Sequence, residues 1–186
     1  MAGRFHPNTP LLQKETGKVA VTVGTLGNSE HVEGLIELLR SMTHVVRSVD
    51  FKEIPYNVAD MDQVKFNDVD VFILCHSINN RRLSITDVTD ALYDRLLRRA
   101  RGALGKRKVN IVLYDFKSNE LQDNVLALKL SDLERSQPTA CDISSAIVFA
   151  GKCNSAPPEL PQDQREKLQS SLEVAARRET CCCHIL

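Results

Sequence analysis

The run Val69-Asp70-Val71-Phe72-Ile73-Leu74-Cys75-His76-Ser77 decides the fold class. Its centre is continuously apolar and rich in strand-forming residues, the pattern of a strand covered on both faces rather than one with a wet side. Asn79-Asn80 follow as turn residues. Lys18-Val19-Ala20-Val21-Thr22-Val23-Gly24 has the same character upstream, and Val109 to Tyr114 and Ser145 to Ala150 repeat it downstream. A fifth segment, Thr43 to Phe51 around Val45-Val46-Arg47-Ser48-Val49, is more polar and suits a strand near an edge.

Between these segments apolar residues recur at helical spacing: Val32, Leu35, Ile36, Leu38 and Leu39, then Ile85, Val88, Leu92, Leu96 and Ala100. Leu121, Val125, Leu128 and Leu133 form a third stripe, and Leu168, Leu172 and Ala175 a fourth. Asn28 or Ser29 is placed to cap the first helix, and Ser84 with Asp87 to cap the second. Gly102 and Gly105 are expected to stop the second helix, and Pro138 the third. Residues 57–70, rich in Asp and Asn, read as loop or a short helix. Strands alternating with helices imply parallel units joined by right-handed crossovers. The predicted fold is α/β, a three-layer αβα sandwich with a mainly parallel sheet of about five strands. Residues 1–17, with Pro7, Asn8 and Pro10, are expected to form a disordered N-terminal arm, residues 18–178 a single α/β domain, and residues 179–186 a lipidated tail.

The composition is that of an ordinary globular protein, 186 residues with 42% hydrophobic and 26% charged side chains and a formal net charge of zero. A neutral chain has no overall attraction to polyanions, and with no recognisable binding motif no nucleic acid partner is expected. Three of the six cysteines lie in the tail, and Cys75, Cys141 and Cys153 are scattered through core or loop segments. With no apolar stretch in residues 1–18 resembling a signal peptide, this usage points to the reducing cytosol.

In a parallel sheet the functional crevice lies beyond the carboxyl ends of the strands. The predicted elements therefore bring together the segments 24–29, 76–80, 115–119 and 151–154. The first turn, Gly24-Thr25-Leu26-Gly27-Asn28-Ser29-Glu30, occupies the position of a phosphate loop at a helix N-terminus. It lacks the lysine that a Walker A loop requires, and Glu30 sets a carboxylate at its mouth. A plain tight turn is the competing reading, and a small nucleotide is not the expected ligand. His76, with Ser77 and Asp115 at neighbouring strand ends, is the candidate for hydrolytic chemistry, against capping and backbone-bonding roles for the same residues. Cys75 cannot pair with His76, because adjacent strand residues point to opposite faces. No catalytic group, cofactor or metal site is otherwise predicted.

A second candidate surface is electrostatic. Arg81, Arg82, Arg95, Arg98, Arg99, Arg101, Lys106, Arg107 and Lys108 oppose Asp87, Asp90 and Asp94, a local excess of six positive charges. A solvated helix face with an Asp94–Arg98 pair at i,i+4 accounts for part of this. Residues 28–70 carry nine acids against four bases, so the molecule is expected to be dipolar, with this basic face toward anionic lipid.

The tail Cys181-Cys182-Cys183-His184-Ile185-Leu186 has Cys-a-a-X form, with the terminal Leu that favours geranylgeranylation of Cys183. One isoprenoid anchors only reversibly, and Cys181 and Cys182 are candidate acylation sites for a second signal. Metal binding by the same residues is disfavoured, since adjacent side chains cannot all turn to one tetrahedral centre.

The βα alternation, the Val69 to Ile78 strand and this tail together resemble a Ras- or Rho-type small GTPase. Phe116-Lys117-Ser118-Asn119 stands where that family has NKxD, keeping a lysine and losing the carboxylate; Asp60-Met61-Asp62-Gln63 stands where it has DxxG. The resemblance implies a pseudo-GTPase with a similar scaffold and anchor and no competent hydrolysis. On that reading Gly24, Gly27, Asn28, Ser29, Lys117 and Asn119 are the ligand-binding positions. The chain also resembles caspase-type folds, in which a catalytic His follows one strand as His76 does, although Asp115 stands where the nucleophilic Cys would be. The expected protein is a non-catalytic binding or signalling module on the cytosolic face of a membrane, with lipid and an unidentified protein as partners. A nucleotide-dependent switch, or a hydrolase-type domain using His76, is the alternative.

Overall fold

The computed structural model describes residues 17–80, 83–89 and 91–177. Five strands, β1 (Val19–Thr25), β2 (Val46–Glu53), β3 (Val71–Ser77), β4 (Val109–Tyr114) and β5 (Ala146–Phe149), form one sheet in the order β2-β1-β3-β4-β5. Every pairing is parallel. β2 is an edge strand, as its polar sequence requires, because only its inner neighbour needs apolar cover on both faces.

Among the described residues six α-helices flank the sheet: α1 (Glu33–Ser41), α2 (Val58–Met61), α3 (Asp94–Leu104), α4 (Asp123–Ser136), α5 (Pro138–Ile143) and α6 (Gln162–Ala176). α1 and α6 cover one face. Leu35, Leu39, Leu168 and Leu172 pack there on Val21, Ile73, Cys75 and Val112, all fully or nearly fully buried. The helices α2 to α5 cover the other, where Phe72, Leu74, Ile111 and Leu113 meet Met61, Leu96, Leu97, Leu133 and Ile143. The alternation is strict along β3: Ile73 and Cys75 belong to the first layer, Phe72 and Leu74 to the second. This is the three-layer αβα sandwich that the sequence predicts.

The helix predicted from Ile85 begins at Asp94 instead. Ile85 and Leu92 are buried as expected, but residues 83–89 and 91–93 reach the core as a folded loop. The side-chain amide of Gln137 explains this. Its Oε1 accepts from the backbone N–H of Ile85 at 2.8 Å and of Thr86 at 2.9 Å, and its Nε2 donates to the Leu83 carbonyl. Asp87 then takes a left-handed conformation, φ 60°, which a helix cannot continue through. Nor does Ser84 with Asp87 form a capping box: the Asp87 carboxylate serves α5, accepting from the Thr139 N–H at 2.7 Å and the Thr139 hydroxyl at 2.5 Å. Gly105, at φ 94°, ends α3 and donates to the Arg101 carbonyl at 2.8 Å, whereas Gly102 lies within the helix. Pro138 ends α4 and also opens α5 as its first residue.

Asp87 gives this connection an acid-sensitive element. Partial burial raises its pKa, but the hydrogen bonds from Thr139 and Thr86 and the charge of Arg98 outweigh that and hold it below its ordinary 3.8. A lowered native pKa contributes stability that is present above the unfolded-state pKa and is lost as pH falls through the native one. The stability difference between wild type and Asp87→Asn, measured by urea unfolding, is therefore expected to be full at pH ~7 and to shrink below pH ~4.

Candidate functional site

The strand order reverses between β1 and β3, the topological switch point at which doubly wound sheets open a crevice at their carboxyl ends. A cleft of about 450 Å³ lies there. Its walls are Thr25 to Gly27 from the end of β1, Ser77, Asn79 and Asn80 from the end of β3, and Tyr114 and Asp115 from the end of β4. His31, Tyr56 and Tyr93 complete it. The predicted convergence of strand ends thus holds for the first three segments. The fourth turns elsewhere: the Cys153 carbonyl accepts from the Leu35 N–H at 3.2 Å, so residues 151–155 brace the start of α1.

Two polar pairs organise the cleft. Ser77 donates its hydroxyl to Asp115 Oδ2 at 2.5 Å, and Asp115 itself sits at φ 74° while its N–H bonds the Gly151 carbonyl at 3.0 Å. On the opposite face of β3, His76 is 1% exposed, with Nδ1 3.1 Å from the Tyr93 hydroxyl and the two rings edge to face. Burial pushes the Tyr93 phenol far up, and burial pushes Tyr114 up to about 12 against a hydrogen bond from Thr25. Both tyrosines are therefore neutral hydrogen-bonding groups at physiological pH.

The structure brings Ser77 and Asp115 together and turns His76 away from them. A Ser–His–Asp relay needs all three on one side of the strand, which adjacent residues cannot provide. Cys75 likewise points into the layer opposite His76. Burial, with a smaller contribution from nearby Cys153, raises the Cys75 pKa well above its usual value, so it is a protonated core thiol and no nucleophile.

Of the six predicted ligand-binding residues, only Gly27 lines the cleft. A Cβ at Gly27 would come within 2.7 Å of the His31 ring, and one at Gly24 within 2.8 Å of the Phe72 ring. Side-chain packing therefore accounts for both glycines. Asn28 donates its side-chain amide to Glu30 at 3.2 Å, and α1 begins only at Glu33, after a single 3-10 turn at Ser29–Val32. Lys117 and Asn119 are exposed on a 3-10 turn away from the cleft, where Glu120 accepts from the Lys117 N–H at 3.1 Å and from Lys129 at 3.1 Å. Among the described residues the cleft walls include one carboxylate and no lysine or arginine. Tyr56 and Tyr93 are not legible as cleft residues in the sequence: Tyr56 lies in an irregular loop, and Tyr93 lies within a stretch whose helical period marks the core.

The basic stretch is spread over several surfaces. Arg95 pairs with Asp62 at 2.7 Å, Arg98 with Asp94 at 3.3 Å, and Arg101 and Lys106 share Asp142 at 2.9 and 3.2 Å. Arg99 is half-buried and donates to the carbonyls of Met61 at 3.0 Å and Val64 at 2.9 Å. Much of the positive excess on α3 is therefore matched by acids that are distant in sequence. Arg107 and Lys108 lie past its end, at the start of β4. Arg81, Arg82 and the lipidation candidates Cys181, Cys182 and Cys183 lie outside the described residues. Among the described residues no helix is long and apolar enough to cross a membrane, and no cluster of His, Cys, Asp and Glu is arranged to hold a metal.

The chain is an all-parallel, doubly wound α/β protein with a polar cleft at its switch point. No family model matches it, and no curated protein resembles it at a significant level.

Proposed function

We propose that this chain is a non-catalytic binding or signalling module, pseudo-GTPase-like in scaffold, held on the cytosolic face of a membrane by prenylation at Cys183 and acylation at Cys181 or Cys182. The observation that carries the reading is the sequence Cys181-Cys182-Cys183-His184-Ile185-Leu186, which in the chain comes after four residues beyond Ala176, the end of α6 in the α/β body. Two features of the body support it. α6 runs from the carboxyl edge of the sheet, where Gln164 accepts from the Phe149 N–H at 3.0 Å, to the amino edge, where Ala175 to Arg177 lie beside Val19 and Lys108. The tail therefore leaves from the edge opposite the cleft, and an anchored domain presents the cleft to the cytosol. Among the described residues the cleft offers hydroxyls, side-chain amides, the His31 ring and one carboxylate, a lining suited to neutral or cationic polar groups of a protein partner.

Intact-mass measurement after expression in eukaryotic cells tests the anchor. The wild-type chain is expected to carry a geranylgeranyl-sized increment and to lack His184-Ile185-Leu186. Cys183→Ser is expected to carry neither change and to move from the membrane to the soluble fraction. An unmodified wild-type tail would refute the anchor. A nucleotide-dependent switch is the alternative, and micromolar, magnesium-dependent binding of a guanine nucleotide would establish it in place of the pseudo-GTPase reading.

A further inference from the structure

The amino edge of the sheet carries a recess of about 830 Å³ lined by Lys18, Arg47, Arg107, Lys108 and Arg177, with Asp70 as its one acid among the described residues. Asp70 is committed to Arg47 at 3.2 Å and to the Ala20 N–H at 2.8 Å. The side chains of Lys18, Arg107, Lys108 and Arg177 form no hydrogen bond or ion pair among the described residues. The bases of α3, by contrast, are paired with Asp62, Asp94 and Asp142 or bonded to carbonyls. Four bases without a side-chain partner thus share one recess with the paired Arg47, drawn from separate parts of the chain: residue 18 before β1, residues 107 and 108 before β4, and residue 177 after α6.

We infer that this recess is the membrane-facing surface of the protein, docking against the anionic phospholipid headgroups of a bilayer. The inference rests on the proposed anchor for its orientation, and the chain's reach agrees with it. Cys183 stands six residues after Arg177, at most about 22 Å of extended chain. An anchor on that tether holds the amino edge against the lipid. The carboxyl edge lies roughly a further 20 Å away along the strands. The free bases supply the second attraction that a single prenyl chain needs for stable residence. Each cation near an anionic surface is worth about 1 kcal/mol, close to fivefold in partition.

The test uses the full chain with Cys181, Cys182 and Cys183 all changed to Ser, so that no lipid contributes. Partition onto phosphatidylcholine vesicles containing roughly one-third phosphatidylserine is compared with partition onto phosphatidylcholine alone. The chain is expected to prefer the anionic vesicles. Arg107→Ala with Lys108→Ala is expected to lower that partition on the order of thirtyfold, and Lys18→Ala with Arg177→Ala similarly. Arg95→Ala with Arg98→Ala, on α3, is expected to leave it nearly unchanged. No preference for anionic vesicles would overturn the inference, as would a loss caused by the α3 pair alone. Because the protein tested carries no lipid, an unprenylated wild-type tail leaves this result standing, and a prenylated tail does not rescue a charge-indifferent edge.

Discussion

Gly34→Ala is expected to destabilise the protein by about 2–3 kcal/mol, even though alanine is the better helix former by about 1 kcal/mol. A Cβ at Gly34 would lie 1.8 Å from the Ser155 carbonyl oxygen and 2.5 Å from its carbon. Both are backbone atoms and cannot swing aside as a side chain could. To admit the methyl, the 151–155 segment must leave α1, breaking the Leu35 to Cys153 hydrogen bond at a further cost of about 1 kcal/mol. For a chain of this size the melting temperature should fall by roughly 5–10 °C. Gly102→Ala is the matched control. It too lies in a helix, its Cβ would meet nothing within 4 Å, and the substitution should stabilise by about 0.5–1 kcal/mol. Equal effects at the two sites would contradict the close packing at Gly34.

Gln137→Ala is expected to cost about 2–5 kcal/mol, read by urea unfolding. Gln137 is 4% exposed and is the shared partner of the Ile85 N–H, the Thr86 N–H and the Leu83 carbonyl. Truncation leaves two buried donors unpaired, each worth about 1–3 kcal/mol. The effect should be local before it is global. Hydrogen exchange at Ile85 and Thr86 should accelerate while the β3 amides keep their protection. Retained protection at Ile85 and Thr86 would show that other groups satisfy them. The consequence reaches the cleft, because the Tyr93 N–H bonds the Ile85 carbonyl at 3.0 Å and its hydroxyl meets His76. Loosening residues 83–86 therefore loosens a wall of the proposed partner site.

The helical stripe from Ile85 to Ala100 shows why one boundary was misjudged. Ile85, Leu92, Leu96 and Ala100 are buried and Val88 is half-buried, so the spacing reports burial at four of its five positions. It could not report conformation, because a folded loop that turns its apolar residues inward has the same signature as a helix face. What separates the two is a side chain 52 residues away, Gln137, which binds the Ile85 and Thr86 N–H groups and fixes the segment as a loop. The candidate site divides in the same way. The strand ends that line it were legible, since topology alone brings them together at the switch point. The tyrosines that give it character come from irregular loops.

Some properties of this protein follow from local chemistry. An apolar run without alternation, such as Val71 to Cys75, demands cover on both faces wherever it lies, so the layered parallel sheet was readable at once. The opposed directions of Cys75 and His76 follow from strand geometry, and the lipid-attachment chemistry proposed for Cys183 from its three neighbours. Other properties depend on groups that only chain folding brings into contact. Arg101 meets Asp142 across 41 positions and Arg99 meets the Met61 carbonyl across 38, and those meetings decide which bases remain free. A formal count of charge along α3 marks a basic face there. Pairing in three dimensions neutralises much of that face and leaves Lys18, Arg107, Lys108 and Arg177 unpaired together at the amino edge, because the energy of an ion depends on its distance to the nearest counter-charge and not on its place in the chain.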